Sequence, residues 1–234
     1  MNETISNYED LLEMLDSFLR EPTQFWDGFY QDRNKPIPFF QNKPDENLVS
    51  YYKNGFISSG KVLELGCGPG RNAIYLAKNG FKVDAVDISK ETIEWARERA
   101  KEANVDINFI IQNIFHLHTK QDTYDLVYDS GCFHHLAPHR RMDYINLVNY
   151  SLKPGGYFAL TCFVTGGKYG GSDITDWEVY RLGNLQGGLG FNEEKLRHIF
   201  KDFEVVEIRK MIDMDTSSAA FGTSALWTGL FRKK

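Results

Sequence analysis

Apolar positions along the chain follow two different rhythms. Between Asn7 and Arg20, residues Leu11, Leu12, Leu15, Phe18 and Leu19 recur at spacings of three and four, which predicts an amphipathic helix. Glu21-Pro22 should end it, because the residue before proline avoids helical backbone. Phe25-Trp26-Asp27-Gly28-Phe29-Tyr30 and Lys35-Pro36-Ile37-Pro38-Phe39-Phe40 then crowd aromatics between prolines, predicting a short helix and an ordered, irregular cover. A further helix is expected from near Asp45 to about Gly55. From Gly60 onward, short apolar runs alternate with amphipathic stretches. Strands are expected over 61–65, 82–86, 107–111, 124–128, 156–163, 203–209 and 225–231, with helices over 72–78, 90–103, 140–152 and 193–200. Such alternation specifies an α/β fold, here a seven-stranded, mostly parallel sheet with helices on both faces. The last two strands break the rhythm, since 210–223 shows no helical period, and an antiparallel pair at the sheet edge is expected. The chain thus divides into an N-terminal helical and aromatic lid over 1–59 and a main domain over 60–234.

Composition narrows the class. With 234 residues, 42% hydrophobic and 25% charged, the chain can close a real core and is not disordered. A net charge of −5 without any basic run argues against a nucleic acid or a phospholipid surface as partner, both of which need a concentrated positive face. No apolar run approaches the roughly 20 residues that span a bilayer, and Met1 to Asp10 is polar and acidic rather than a leader. Cys67, Cys132 and Cys162 are odd in number and lack a C-x-x-C pair, so a reducing cytoplasm is the expected location. The sequons at Asn2 and Asn149 carry no weight without export. Neither the sequence nor its charge indicates an oligomeric state.

The most informative stretch is Val62-Leu63-Glu64-Leu65-Gly66-Cys67-Gly68-Pro69-Gly70-Arg71-Asn72, a strand that runs into three alternating glycines and straight into a helix. Glycine is required where the backbone turns left-handed or where a ligand touches the main chain, and the crevice at the end of the first strand of such a sheet is a binding place. A dinucleotide fingerprint begun at Gly66 would need glycine where Arg71 stands. The near phosphate-loop Gly55-Phe56-Ile57-Ser58-Ser59-Gly60-Lys61-Val62 has no hydroxyl after its lysine and leads into a strand.

The pattern Glu64-x-Gly66-x-Gly68-x-Gly70 resembles motif I of the class I S-adenosylmethionine-dependent methyltransferases, a Rossmann-like family. Four further signatures follow in that family's order: Val83–Ser89 with Asp87 ending the second strand, Ile110–Ile114, Tyr124–Asp129, and Leu152-Lys153-Pro154-Gly155-Gly156. The resemblance implies that 60–234 is the catalytic domain and S-adenosyl-L-methionine the cofactor. Glu64 would meet the amino group of its methionine part, lined by Gly66, Cys67, Gly68 and Gly70 with Asn72; Asp87 and Ile88 would hold the ribose, and Asn113 and Ile114 the adenine. Asp129 would close the methyl-facing side and Trp26, Tyr30 and Phe40 the lid.

The acceptor side begins after the fourth strand, at Asp129-Ser130-Gly131-Cys132-Phe133-His134-His135 and Leu136-Ala137-Pro138-His139-Arg140-Arg141. Methyl transfer from a sulfonium is an in-line displacement, so a thiol or hydroxyl acceptor must also lose a proton. His134 and His135 are the candidate bases, with packing as the alternative, and Arg140 the candidate anion binder. The histidines His116, His118, His134, His135 and His139 lack the acidic companions of a magnesium site, and no metal is expected. Trp26-x3-Tyr30, Ile37–Phe40 and Asp129-x-Gly131 are similar to the thiopurine, thiol and tellurite-resistance branch, and Arg71-Asn72 to the tellurite-resistance group. A small-molecule acceptor with a soft nucleophile is therefore expected; an O or N acceptor, a macromolecule, or a non-catalytic cofactor-binding module are the alternatives. Glycine pairs flanking Trp177, Tyr180 and Arg181 suggest a flap that joins the N-terminal segment in forming the acceptor pocket.

Overall fold

The computed structural model describes residues 4–234; Met1, Asn2 with its sequon, and Glu3 lie outside the described residues. Three helices come first, α1 (Tyr8–Asp16), α2 (Pro22–Tyr30) and α3 (Glu46–Lys53), with a 3-10 turn at Pro38–Phe40. There follow β1 (Lys61–Leu65), α4 (Arg71–Lys78), β2 (Lys82–Asp87), α5 (Lys90–Glu102), β3 (Asn108–Ile111), β4 (Tyr124–Ser130), α6 (Arg141–Ser151), β5 (Leu152–Phe163), α7 (Asp176–Leu182), α8 (Glu193–Ile199), β6 (Glu204–Lys210) and β7 (Leu226–Arg232).

All seven expected strands join one sheet in the order β3-β2-β1-β4-β5-β7-β6. Neighbours from β3 to β5 run parallel, whereas β7 is antiparallel to both β5 and β6. The final strand therefore inserts beside β5 and leaves β6 as the edge, where Glu204, Glu207, Arg209 and Lys210 discourage further pairing. Alternation along the strands feeds two cores. Leu63, Leu65 and Val127 pack with Tyr144, Val148, Val179 and Leu196 from α6, α7 and α8. Val62, Val83 and Ala85 face Leu48, Tyr51, Ile74, Ile93 and Ala96 from α3, α4 and α5.

Several boundaries differ from the sequence pattern, β5 among them, which begins at Leu152 rather than at 156. The first helix stops at Asp16 rather than reaching Arg20, because the Leu19 N–H closes on the Asp16 carbonyl (2.9 Å) while the Asp16 side chain reaches across to His139 and Arg140. Part of the 1–59 segment packs directly on the sheet. Leu48, Tyr51 and Ile57 belong to the second core, and the Tyr51 hydroxyl is bonded to Thr228 of β7 (2.9 Å). The stretch expected as a flap contains α7, opened by a reciprocal capping box between Thr175 and Glu178.

What sits apart from the sheet is a small aromatic cluster of Tyr30, Phe40 and Trp95 with Trp26, Phe29, Ile37 and Phe39 packed against it. It is tied to α5 where Ser89, which caps that helix, donates from its hydroxyl to Asp27 (2.7 Å). Because β1 lies between β2 and β4, the chain leaves β1 and β4 in opposite directions, opening a crevice at their carboxyl ends.

Candidate functional site

A cavity occupies that crevice. Gly66, Gly68 and Gly70 have φ of 66°, 52° and 77°, so each uses the left-handed region that disfavours a side chain. Their spatial roles differ. A Cβ on Gly66 would stand 2.6 Å from that of Cys132, so the loop presses on the segment after β4. One on Gly70 would stand 3.1 Å from that of Ala96; Gly70 serves helix packing and does not line the cavity, contrary to the expectation of a contact there.

Glu64, Gly66, Cys67, Gly68, Asn72, Asp87, Ile88, Asn113 and Ile114 all line it. Glu64 is 1% exposed, its Oε2 has no hydrogen-bond partner, and burial pushes its pKa up to about 8 even though the nearby Arg71 cation opposes the rise. Asp87 accepts from the backbone N–H groups of Gly68 and Ser89, both at 2.9 Å, and burial raises it to about 6. It thus fixes the glycine loop as well as facing the cavity. Asn113 caps the following turn by accepting from the Phe115 N–H (3.0 Å), which orients its side chain beside Ile114. The Cys67 thiol is pushed well up by burial and stays protonated.

Three further expected contacts fall elsewhere. Asp129 is fully buried beneath the site, accepting from the N–H groups of Cys132 (2.9 Å) and Phe133 (3.0 Å) and from the Tyr144 hydroxyl (2.6 Å). It therefore shapes the turn that carries Cys132 to His135 instead of meeting a ligand. Phe40 stacks on Tyr30 at 5.5 Å and meets Trp95 edge-on at 5.2 Å, supporting the cover from behind, whereas Trp26 and Tyr30 do line the cavity. Arg140 is turned away toward α1, pairing with Asp16 at 2.5 Å and Glu9 at 3.3 Å. It ties α1 to the turn before α6 and does not line the cavity. Arg140→Ala should leave kcat unchanged and lower unfolding stability by about 1–3 kcal/mol, read by denaturant titration; an intact stability with a collapsed kcat would contradict this placement.

His134 and His135 both line the cavity, and their Nδ1 atoms have no partner. His134 stacks on Phe163 at 3.6 Å and His135 meets Trp26 edge-on at 4.8 Å. Burial drives His134 well below the usual imidazole value and His135 down to about 3, so both are neutral near pH 7. The flap does not line this cavity. Trp177, 76% exposed, borders a separate surface hollow, while the Leu189 N–H supports the loop by donating to the His134 carbonyl (2.8 Å).

Several lining residues had no assigned role in the sequence: Arg71, Ser130, Thr161, Phe163, Phe221 and Leu226. Arg71 was adjacent to the glycine loop and signalled itself as a cation opening a helix. Phe221 lies in the linker before β7, whose return path through the sheet no local pattern reveals.

Ionising the buried Glu64, whose Oε2 has no partner, is costly unless a cation completes it, and the glycine loop anchored by Asp87 lines the same cavity. Residues 62–156 match the methyltransferase domain family. Sheet order and glycine loop agree with that match, so residues 62–156 resemble the methyltransferase domain of the class I S-adenosylmethionine-dependent enzymes. Among relatives, it is 40% identical over 73 residues to an uncharacterized methyltransferase of Schizosaccharomyces pombe, covering 31% of this chain and 50% of that one. It is 27% identical over 151 residues to the probable S-adenosyl-L-methionine-dependent methyltransferase TehB of Haemophilus influenzae, covering 64% and 48%. The chain thus matches about half the length of these curated relatives. The crystal structure of that TehB superposes with a TM-score of 0.61 at 24% identity, covering 80% of this chain and 62% of that one. The 1,6-didemethyltoxoflavin-N1-methyltransferase of Burkholderia thailandensis, solved with bound 1,6-didemethyltoxoflavin and S-adenosylhomocysteine, superposes with a TM-score of 0.65 at 19% identity, covering 100% of this chain and 93% of that one. At such identities the superpositions establish the fold.

Proposed function

We propose that this chain transfers a methyl group from S-adenosyl-L-methionine to a small-molecule acceptor, with a thiol or other soft nucleophile favoured. The observation that carries the proposal is the buried Glu64 carboxyl, whose Oε2 has no partner, lining one cavity with the backbone-anchored Asp87 and several aromatic side chains. When bound, the cofactor supplies an electrophilic methyl on a cationic sulfur. Glu64 binds the ammonium end, Asp87 accepts from the ribose hydroxyls, and the Asn113–Ile114 turn meets the adenine edge.

Beyond those contacts, Trp26, Phe39, His135, Phe163 and Leu226 make a mostly apolar chamber suited to a small uncharged body. The cover at 22–40 excludes water from it, and the acceptor nucleophile is held for in-line attack. Soft nucleophiles are favoured because His135, held near 3, is too weak a base for an alcohol, whereas a thiol already ionises appreciably in water. The relatives named above include a probable TehB and an N1-methyltransferase of a small heterocycle, which supports a small acceptor.

The test is a panel of thiols, phenols, amines and chalcogen anions, read as S-adenosylhomocysteine formed. Turnover is expected with thiols first; turnover confined to amines or to RNA would overturn the acceptor assignment, and none with any acceptor would favour a cofactor-binding module. At saturating cofactor, the pH–rate profile should follow each acceptor's own pKa across a thiol series. A fixed limb near the ordinary imidazole value of about 6.5 that disappears in His135→Gln would show instead that His135 is the base.

A further inference from the structure

A second hollow lies outside the cofactor cavity, where residues of α6, α7 and α8 converge, and the two share no lining residue. Its volume of about 350 Å³ falls within the range of small-molecule sites. The floor is apolar: Leu189 and Phe191 are each 2% exposed, and Ile174 and Ile199 line the same hollow. Trp177 borders it and is the most exposed large apolar side chain among the described residues. An indole left in water forgoes the large burial gain of an aromatic side chain, which a flat ligand stacked on it would recover.

The charge around this floor is one-sided. Arg141, Lys195 and His198 line the hollow against a single acid, Asp176. Asp176 is taken by Arg141 Nη1 at 2.6 Å, and Arg141 Nε is buried without a partner. Lys195 has no ion-pair partner among the described residues, and spacings of three and four set it with His198 and Ile199 on one face of α8. The chain carries a net charge of −5, so this excess of basic groups belongs to the hollow and not to the surface at large. The floor also braces the first cavity: the N–H groups of Leu189 and Phe191 donate to the carbonyls of His134 (2.8 Å) and Phe163 (2.9 Å), both of which line it. The hollow therefore backs onto the wall that carries the two histidines.

We infer that this hollow is a second binding site, for a small planar aromatic carboxylate whose ring lies on Trp177 over Leu189 and Phe191 and whose carboxylate meets Lys195, with His198 and Arg141 beside it. A neutral aromatic would leave Lys195 unused, and an anion without a ring would leave Trp177 in water. The site stands apart from the methyl acceptor, which belongs to the first cavity.

Nuclear magnetic resonance titration of the isotope-labelled full chain tests this with cinnamate and its uncharged counterpart cinnamamide. The readout is the indole N–H signals of the four tryptophans, with that of Trp177 identified by its loss in Trp177→Ala. Cinnamate should move the Trp177 signal saturably, with a dissociation constant at least about fivefold lower than that of cinnamamide. Lys195 is exposed and its side chain makes no hydrogen bond among the described residues, so Lys195→Gln leaves the fold intact. The variant should weaken cinnamate by about threefold and leave cinnamamide unchanged. The comparison of the two probes on the wild type needs no variant to fold. A Trp177 signal that neither probe moves, equal affinities for the two, or an equal effect of Lys195→Gln on both would overturn the site, and none of these outcomes bears on the cofactor reading.

Discussion

Glu64→Gln is expected to weaken S-adenosylhomocysteine binding by at least about tenfold while leaving 5′-methylthioadenosine, which lacks the amino-acid tail, nearly unaffected. The carboxyl is 1% exposed with Oε2 unpaired, so its ionised form is unstable until an ammonium arrives. Glutamine matches its shape but cannot carry the charge. The same substitution should alter the pH dependence of stability. Glu64 has an ordinary unfolded value of 4.5 and a folded value raised to about 8, so the folded chain holds the extra proton between them. Its contribution is fully present below the unfolded value and is lost as pH rises through about 8; Glu64→Gln should remove that decline in thermal melts of the ligand-free protein. If both affinity and the decline between about 4.5 and 8 were unchanged in the variant, Glu64 would not face the ligand.

Asp87→Ala should be more damaging and should differ in kind. Asp87 accepts the N–H groups of Gly68 and Ser89, so its loss releases two backbone donors as well as the ribose contact. A fall in affinity of roughly a hundredfold is expected, equal for S-adenosylhomocysteine and 5′-methylthioadenosine because both carry the ribose. Unfolding stability should fall by about 1–3 kcal/mol as the glycine loop loses its anchor. Equal ligand losses in Asp87→Ala beside unequal losses in Glu64→Gln would separate the sugar end of the site from the tail end. Unequal losses in Asp87→Ala would mean that it acts on the tail through the loop rather than on the ribose.

Much of this was visible in the sequence, for a physical reason. The buried parallel strands and the caps are local patterns: Val62 to Leu65 is a nearly continuous apolar run, and Ser89 is a serine standing directly before the first residue of α5. The glycine loop and Asp87 are likewise set by short-range chemistry, since three left-handed positions and an acid at a strand end must lie close together once β1 and β2 pair. What the sequence left out depends on contacts between distant segments. Asp45 reaches Arg71 across 26 residues, and Phe221 enters the cavity only because β7 threads back beside β5. Arg140 and Asp129 had the right residue types at the right place in the chain, but their side chains were claimed by Asp16 and Tyr144, partners that periodicity does not reveal. His134 and His135 line the cavity, but burial against Phe163 and Trp26 sets their protonation, which no sequence pattern reveals.

On this account the cavity takes the ammonium group of the cofactor's amino-acid tail onto a Glu64 carboxyl that is protonated beforehand. Titrating S-adenosylhomocysteine calorimetrically near pH 7 in two buffers of different ionisation enthalpy measures it directly. With Glu64 raised to about 8 before binding and ionised by the ammonium afterwards, binding should release about one proton, and that release should vanish near pH 9.5 and in Glu64→Gln. Binding with no buffer dependence near pH 7, or no binding, would contradict it.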